Sequence, residues 1–182
     1  MNKLILLFGI LLLTACATGP YPVTSPYYQV PTGSRVVLKQ TLTIPPNRAR
    51  TYMQYGRVVT AKQKDQYYPH CWFLSWKVFN RAQVIKPDIF IVTKAQKFEE
   101  VIQIPGPYLL ASLHGSIGLR QDGGPTAVEY STRLSIHSDA QPDIQQFVCS
   151  YWEDPVDGKH LTVAEMQKAL GDIAEIQLDA GH

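Results

Sequence analysis

From Arg35 onward, apolar and polar residues alternate with a period of two through a series of short segments, each closed by proline or glycine. A period of two is the signature of a strand with one buried face, and a chain carrying many such strands must stack sheets or curl one sheet around a core. Between Arg35 and Ile44, Val36, Leu38, Leu42 and Ile44 fall on one face and Arg35, Lys39, Thr41 and Thr43 on the other. The Pro45-Pro46-Asn47 turn follows, and Ala49 to Val59 alternates again, with Tyr52 and Val58 on one face and Met53, Tyr55 and Val59 on the other. The expectation is a hairpin around that turn.

Further strands are expected at Cys71–Phe79, Asp88–Ala95, Lys97–Ile104, Thr126–His137, Ile144–Trp152 and Ala174–Leu178. One helix is signalled by Thr162-Val163-Ala164-Glu165, a capping box, with Leu161 and Met166 placed to staple across it and Gly171 placed to end it after about eight residues. It should cover an open end or face of the sheet through Val163, Met166 and Leu170; the competing reading is a helix that binds a partner. The fold class is thus mostly β: an antiparallel sandwich or barrel-like domain with one short C-terminal helix.

The chain has 182 residues, 45% apolar and 18% charged, enough for one domain with its own core. Its formal charge is +2, and no basic stripe points to nucleic acid.

The N-terminus departs from the two-fold pattern. Met1 to Lys3 make a short positive start and Leu4 to Leu13 an apolar run too short to span a bilayer. The run ends in Leu13-Thr14-Ala15-Cys16, which resembles the lipobox of bacterial lipoproteins. The resemblance implies that residues 1–15 are a signal peptide removed during export and that the Cys16 thiol receives diacylglycerol, with its freed amine then acylated. Two or three acyl chains anchor a protein to a membrane far more firmly than one. Ala17 in place of the aspartate that often holds such proteins at the inner membrane implies an outer-membrane, periplasm-facing location in the cell envelope. The competing reading is ordinary signal cleavage after Ala17, since Ala15-Cys16-Ala17 is also a small-x-small site.

Residues 16–34, with Pro20, Pro22, Pro26 and Pro31 and no periodicity, read as a proline-rich tether, leaving 35–182 as the domain. At about 3.1 Å per residue an extended tether spans on the order of 50 Å. Tyr21, Tyr27 and Tyr28 within it offer an alternative role in docking.

Once lipid accounts for Cys16, Cys71 and Cys149 remain, and in an oxidising compartment they are expected to pair as a structural disulfide; two free buried thiols are the alternative. No Cys-x-x-Cys points to redox catalysis. The histidines at 70, 114, 137, 160 and 182 form no short metal-ligand pair, and His70 reads as a hydrogen-bonding surface residue at a strand end. No Gly-x-Ser-x-Gly, dinucleotide or Walker pattern occurs; Gly115-Ser116-Ile117-Gly118 reads as a turn within a long loop from Pro105 to Pro125, a candidate functional surface with Leu109, Leu110 and Leu113 beneath it. Tyr67, Tyr68, Trp72 and Trp76 form the densest aromatic neighbourhood, with Trp72 and Trp76 on one strand face, read as core or disulfide cover, or as a sugar- or peptide-binding platform.

These readings converge on a membrane-anchored envelope lipoprotein that is not an enzyme, takes no cofactor or metal, and serves as a structural or protein-interaction module for an envelope partner. The alternative is a carrier for a small lipid-like or saccharide ligand in an unfilled β interior.

Overall fold

The computed structural model describes residues 21–103 and 126–179. The lipobox with Cys16, the loop from Pro105 to Pro125, and His114 and His182 lie outside the described residues.

Among the described residues ten strands and one helix follow in chain order: β1 (Arg35–Leu38), β2 (Leu42–Ile44), β3 (Arg50–Gln54), β4 (Arg57–Val59), β5 (His70–Ser75), β6 (Gln83–Ile85), β7 (Asp88–Gln103), β8 (Thr126–His137), β9 (Ile144–Glu153), α1 (Val163–Leu170) and β10 (Ala174–Gln177). Eight strands form one antiparallel sheet in the order β10-β1-β7-β8-β9-β5-β3-β4, curled into a half-barrel, and β2 and β6 form a separate two-stranded sheet. The expected mostly-β antiparallel fold with one short C-terminal helix is what the chain adopts.

Register explains the core. Phe73, Phe147 and Leu134 stand opposite one another across β5, β9 and β8, on the concave face, as do Cys71, Cys149 and Thr132 two residues along. The Phe73 ring packs 5.0 Å from Phe147 and 5.3 Å from Phe90, centroid to centroid, and all three are fully buried. Val36, Leu38, Leu42 and Ile44 are buried in the same core, as their alternation predicts.

Where the chain departs from the sequence reading, non-local contacts are the reason. Val36 to Ile44 is not one strand: after Leu38 the Lys39 N–H donates to the Ile173 carbonyl (2.9 Å) and the Gln40 side chain to that of Asp172 (3.2 Å), so β2 leaves the large sheet and pairs with β6, a strand the sequence did not flag. The expected hairpin around Pro45–Asn47 is therefore absent. The hairpin that forms is β3–β4, turning at Tyr55 and Gly56, both at positive φ (54° and 70°), as a two-residue type I′ turn requires. Its pairs are Tyr52 with Val59 and Met53 with Val58, so the face grouping expected from straight alternation is exchanged. Asp88–Ala95 and Lys97–Ile104 merge into the single 16-residue β7, with an irregularity between Val92 and Lys94 that takes up the odd residue. Strand β5 stops at Ser75, so Trp76 lies beyond it.

Helix α1 bridges the two margins of the half-barrel. Its capping box is formed: Thr162 Oγ1 accepts from the Glu165 N–H (3.3 Å), and Glu165 Oε2 accepts from the Thr162 N–H (2.8 Å). Met166, Ala169 and Leu170 are buried and Val163 partly so. At one margin the Gln167 side chain grips β10, donating to the Ala174 carbonyl (2.9 Å) and accepting from the Ile176 N–H (3.0 Å). At the other, the Gly56 N–H donates to the Ala169 carbonyl (3.0 Å).

The end of the proline-rich segment is fastened to the sheet. Val30 joins the core, Gly33 N–H donates to the Val92 carbonyl (2.8 Å), and Val92 N–H donates to that of Ser34 (2.8 Å). Lys97 reaches the Pro26 carbonyl.

Candidate functional site

The disulfide between Cys71 and Cys149 joins two residues directly opposite each other on β5 and β9, with Cα atoms 4.0 Å apart and both side chains sealed in the core. It is a staple and exposes no sulfur. Trp72, one residue on, faces the other side of the sheet and does not cover it.

That other, convex face carries the polar chemistry. Registered pairs place His70 beside Ser150, Trp72 beside Val148, and Tyr52 beside Trp72. His70 is fully buried, contrary to its reading as a surface residue, because the 60–69 connection folds back over it. Gln54 holds that connection, donating to the carbonyls of Asp65 (2.8 Å) and Tyr68 (3.1 Å) and accepting from the Asp65 N–H (3.0 Å). Lys64 then lies with its Nζ 3.0 Å from His70 Nε2 and 4.7 Å from the centre of the Tyr52 ring.

Burial and the neighbouring Lys64 push His70 down to about 4, with the hydrogen bond to the Tyr68 carbonyl opposing (3.0 Å, from Nδ1). Burial lowers Lys64 to about 8, Glu129 opposes, and Arg50 adds to the lowering. At neutral pH the charged Lys64 therefore donates to the lone pair of a neutral His70. Ser150 Oγ lies 3.3 Å from the same His70 nitrogen, yet its hydroxyl donates to Glu129 Oε1 (2.7 Å). A serine, a histidine and a carboxylate meet here, but the imidazole lone pair is already occupied and the serine is wholly buried.

This buried network supports a more open feature. Arg50 sits over the rings of Tyr52 (5.7 Å) and Trp72 (5.4 Å), the geometry of a cation–π contact. Tyr52 and Arg50 form one wall of a groove of about 680 Å³ between β3–β4 and the β2 end of the small sheet. Arg48 and Lys62 line it as well, both exposed, and Val58 and Val78 give it apolar surface. Among the described residues no acidic side chain lines this groove. Among the described residues none of Arg48, Arg50 and Lys62 forms a salt bridge.

The other residues singled out from sequence are scattered. Tyr67 and Tyr68 are half exposed, Tyr67 packing on Trp152 (6.1 Å) and Tyr68 on Tyr55 (5.8 Å). Trp76 is 77% exposed and lines a separate shallow pocket of about 420 Å³ with Leu74 and His137. His160 is buried against Tyr130 (5.6 Å) and meets Glu99 (3.3 Å); burial and Lys97 lower it while Glu99 pulls it up. His137 pairs with Asp139 at the surface (2.9 Å). Among the described residues no group of three or more His, Cys, Asp or Glu side chains is arranged to hold a metal.

The basic groove was not read from sequence. Arg48 and Arg50 follow the Pro45–Asn47 turn and Lys62 lies beyond the Tyr55–Gly56 turn, and the β3–β4 pairing brings them together. No protein-family model, curated protein or solved structure matches the chain.

Proposed function

We propose that this chain is an envelope lipoprotein, anchored to the outer membrane through lipid on Cys16 and facing the periplasm, whose β domain works as a non-enzymatic protein-interaction module. The observation that carries the module reading is the contrast between inside and outside. The concave interior is filled by Phe73, Phe90 and Phe147, while the surface beside β3–β4 presents a cationic groove with an aromatic wall. A carrier needs the reverse, an unfilled interior. Arginine and aromatic rings, which form one wall of the groove, are by contrast residue types enriched at protein interfaces.

Crosslinking in intact cells tests the module. A photoreactive residue placed at Val58 or Thr60 in the groove is expected to capture one dominant partner, identified by mass spectrometry. The same residue at Val37 or Glu175, on β1 and β10, is expected not to. Identical products from both faces would sink the reading. The anchor has its own test: fatty-acid analogue label should appear on the parent protein and be lost in Cys16→Ser, and equal label on both would remove the lipid from the account.

A further inference from the structure

The two free edges of the eight-stranded sheet are treated differently. At β10 the chain satisfies its own edge, since Gln167 takes both the Ala174 carbonyl and the Ile176 N–H that point away from β1. At β4 it does not. In a two-residue hairpin closed by the Gln54–Arg57 pair, the next residue, Val58, turns its N–H and C=O away from β3. Since β4 is the last strand, those groups lie at the free edge of the sheet, among the described residues no hydrogen bond takes them, and Val58 itself lines the groove. Beyond Val59 the chain leaves the sheet, and Arg50 on β3 also lines the groove.

An unpaired sheet edge is a template for another strand, and proteins that do not use such an edge cover it or guard it with charge. Here the charge has one sign. Arg48, Arg50 and Lys62 line the groove with no carboxylate among them, so an entering strand must bring the anions. Strand geometry sets their spacing. Successive side chains alternate faces, so carboxylates at every second position would meet the cations while the residues between them would lie against Val58 and Val78.

We infer that the groove beside β4 receives an extended acidic segment of a partner protein, added as a strand to the Val58 edge, with alternating acidic and apolar residues. This rests on the interaction-module reading and specifies the chemistry of its partner. Main-chain hydrogen bonds to Val58 supply the docking, and the Arg48, Arg50 and Lys62 charges supply selection and a strong dependence on salt.

The test uses the full chain in detergent, with a displayed library of random dodecapeptides as the probe. The expected outcome is recovery of peptides enriched in Asp and Glu at alternate positions. Synthetic copies should bind at least tenfold more weakly to the Arg48→Glu/Lys62→Glu variant, whose changes are at exposed side chains, and should slow amide exchange at Val58. Recovery of peptides without acidic enrichment, undiminished binding by the charge-reversed variant, an unprotected Val58 amide, or no recovered peptide would each overturn the inference. A partner captured in cells from the groove under any of those outcomes would leave the module reading standing without strand addition. Acidic peptides that pass every step, with no partner captured in cells, would uphold the groove chemistry and remove the module reading.

Discussion

Gly56 and Gly171 meet backbone to backbone, so that a Cβ added to Gly171 would lie 2.6 Å from the Gly56 Cα. This contact seats the end of α1 on the β3–β4 turn. Both residues have positive φ, 70° at Gly56 and 54° at Gly171, so a side chain at either is strained before it meets its neighbour. Gly171→Ala combines that strain with overpacking against main chain, which cannot swing aside, and is expected to destabilise by about 2–4 kcal/mol. Gly56→Ala, whose Cβ would lie 3.3 Å from the Gly171 Cα, should cost less. Denaturant midpoints at unchanged slope measure both; equal losses would mean that the close approach contributes nothing.

A second prediction concerns acid. His70 titrates near 6.5 when unfolded but is held at about 4 in the fold, so between those values the unfolded chain binds the proton and the folded one does not. Stability from this group is complete above pH 6.5 and is lost as pH falls towards 4, by about 3 kcal/mol at most. His160 is shifted the same way and adds to the slope. Because Lys64 is the second cause of the shift after burial, Lys64→Met should raise the His70 titration while leaving it below 6.5. Following the His70 ring proton by NMR across pH 3–8 checks this (range chosen to bracket about 4 and 6.5). An unchanged midpoint would show that Lys64 does not act on the imidazole.

The disulfide gives the third prediction. It closes a loop of 78 residues, and the chain-entropy account assigns such a closure about 4–5 kcal/mol. The Cys71→Ala/Cys149→Ala variant should lose up to that amount and show a steeper denaturant slope, because its unfolded state is no longer tethered and exposes more surface. A loss below about 1 kcal/mol, or an unchanged slope, would indicate that the register of β5 and β9 already holds the two ends together in the unfolded ensemble.

What could be read in the sequence was local or periodic. The capping box needs only Thr162 and Glu165 three residues apart, and the burial of Val36, Leu38, Leu42 and Ile44 follows from their parity alone. Parity cannot report which strand pairs with which, and so by parity alone β2 reads as a continuation of β1 although it belongs to the other sheet. Nor does it register a turn whose first residue is a tyrosine: Tyr55 carries none of the usual turn chemistry, and only Gly56 hinted at it. The groove was hidden for the same reason. Lys64 over His70, Gln167 along β10 and the Arg48–Lys62 cluster each join residues through tertiary packing that no local pattern encodes.

The last prediction follows from the three phenylalanines packed at the core. A two-fold pattern in sequence is compatible with a barrel closed on side chains or on a space, and Phe73, with Phe90 and Phe147 on either side at 5.3 and 5.0 Å, makes the choice at the centre of the half-barrel. All three rings are fully buried, and their neighbours Leu134 and Met53 are equally closed to solvent. Truncating Phe73 should therefore leave a hole that its surroundings fill only in part, and Phe73→Ala is expected to destabilise by about 3–5 kcal/mol. The hole would be apolar, and an apolar cavity of that kind stays dry and admits small hydrophobic probes. Titration with benzene or xenon should thus raise the thermal midpoint of the variant while leaving that of the parent unchanged. A parent protein that gains as much from the probe as the variant, or that carries a stoichiometric small molecule in its native mass spectrum, would place a space where the rings now stand and turn the argument towards a carrier.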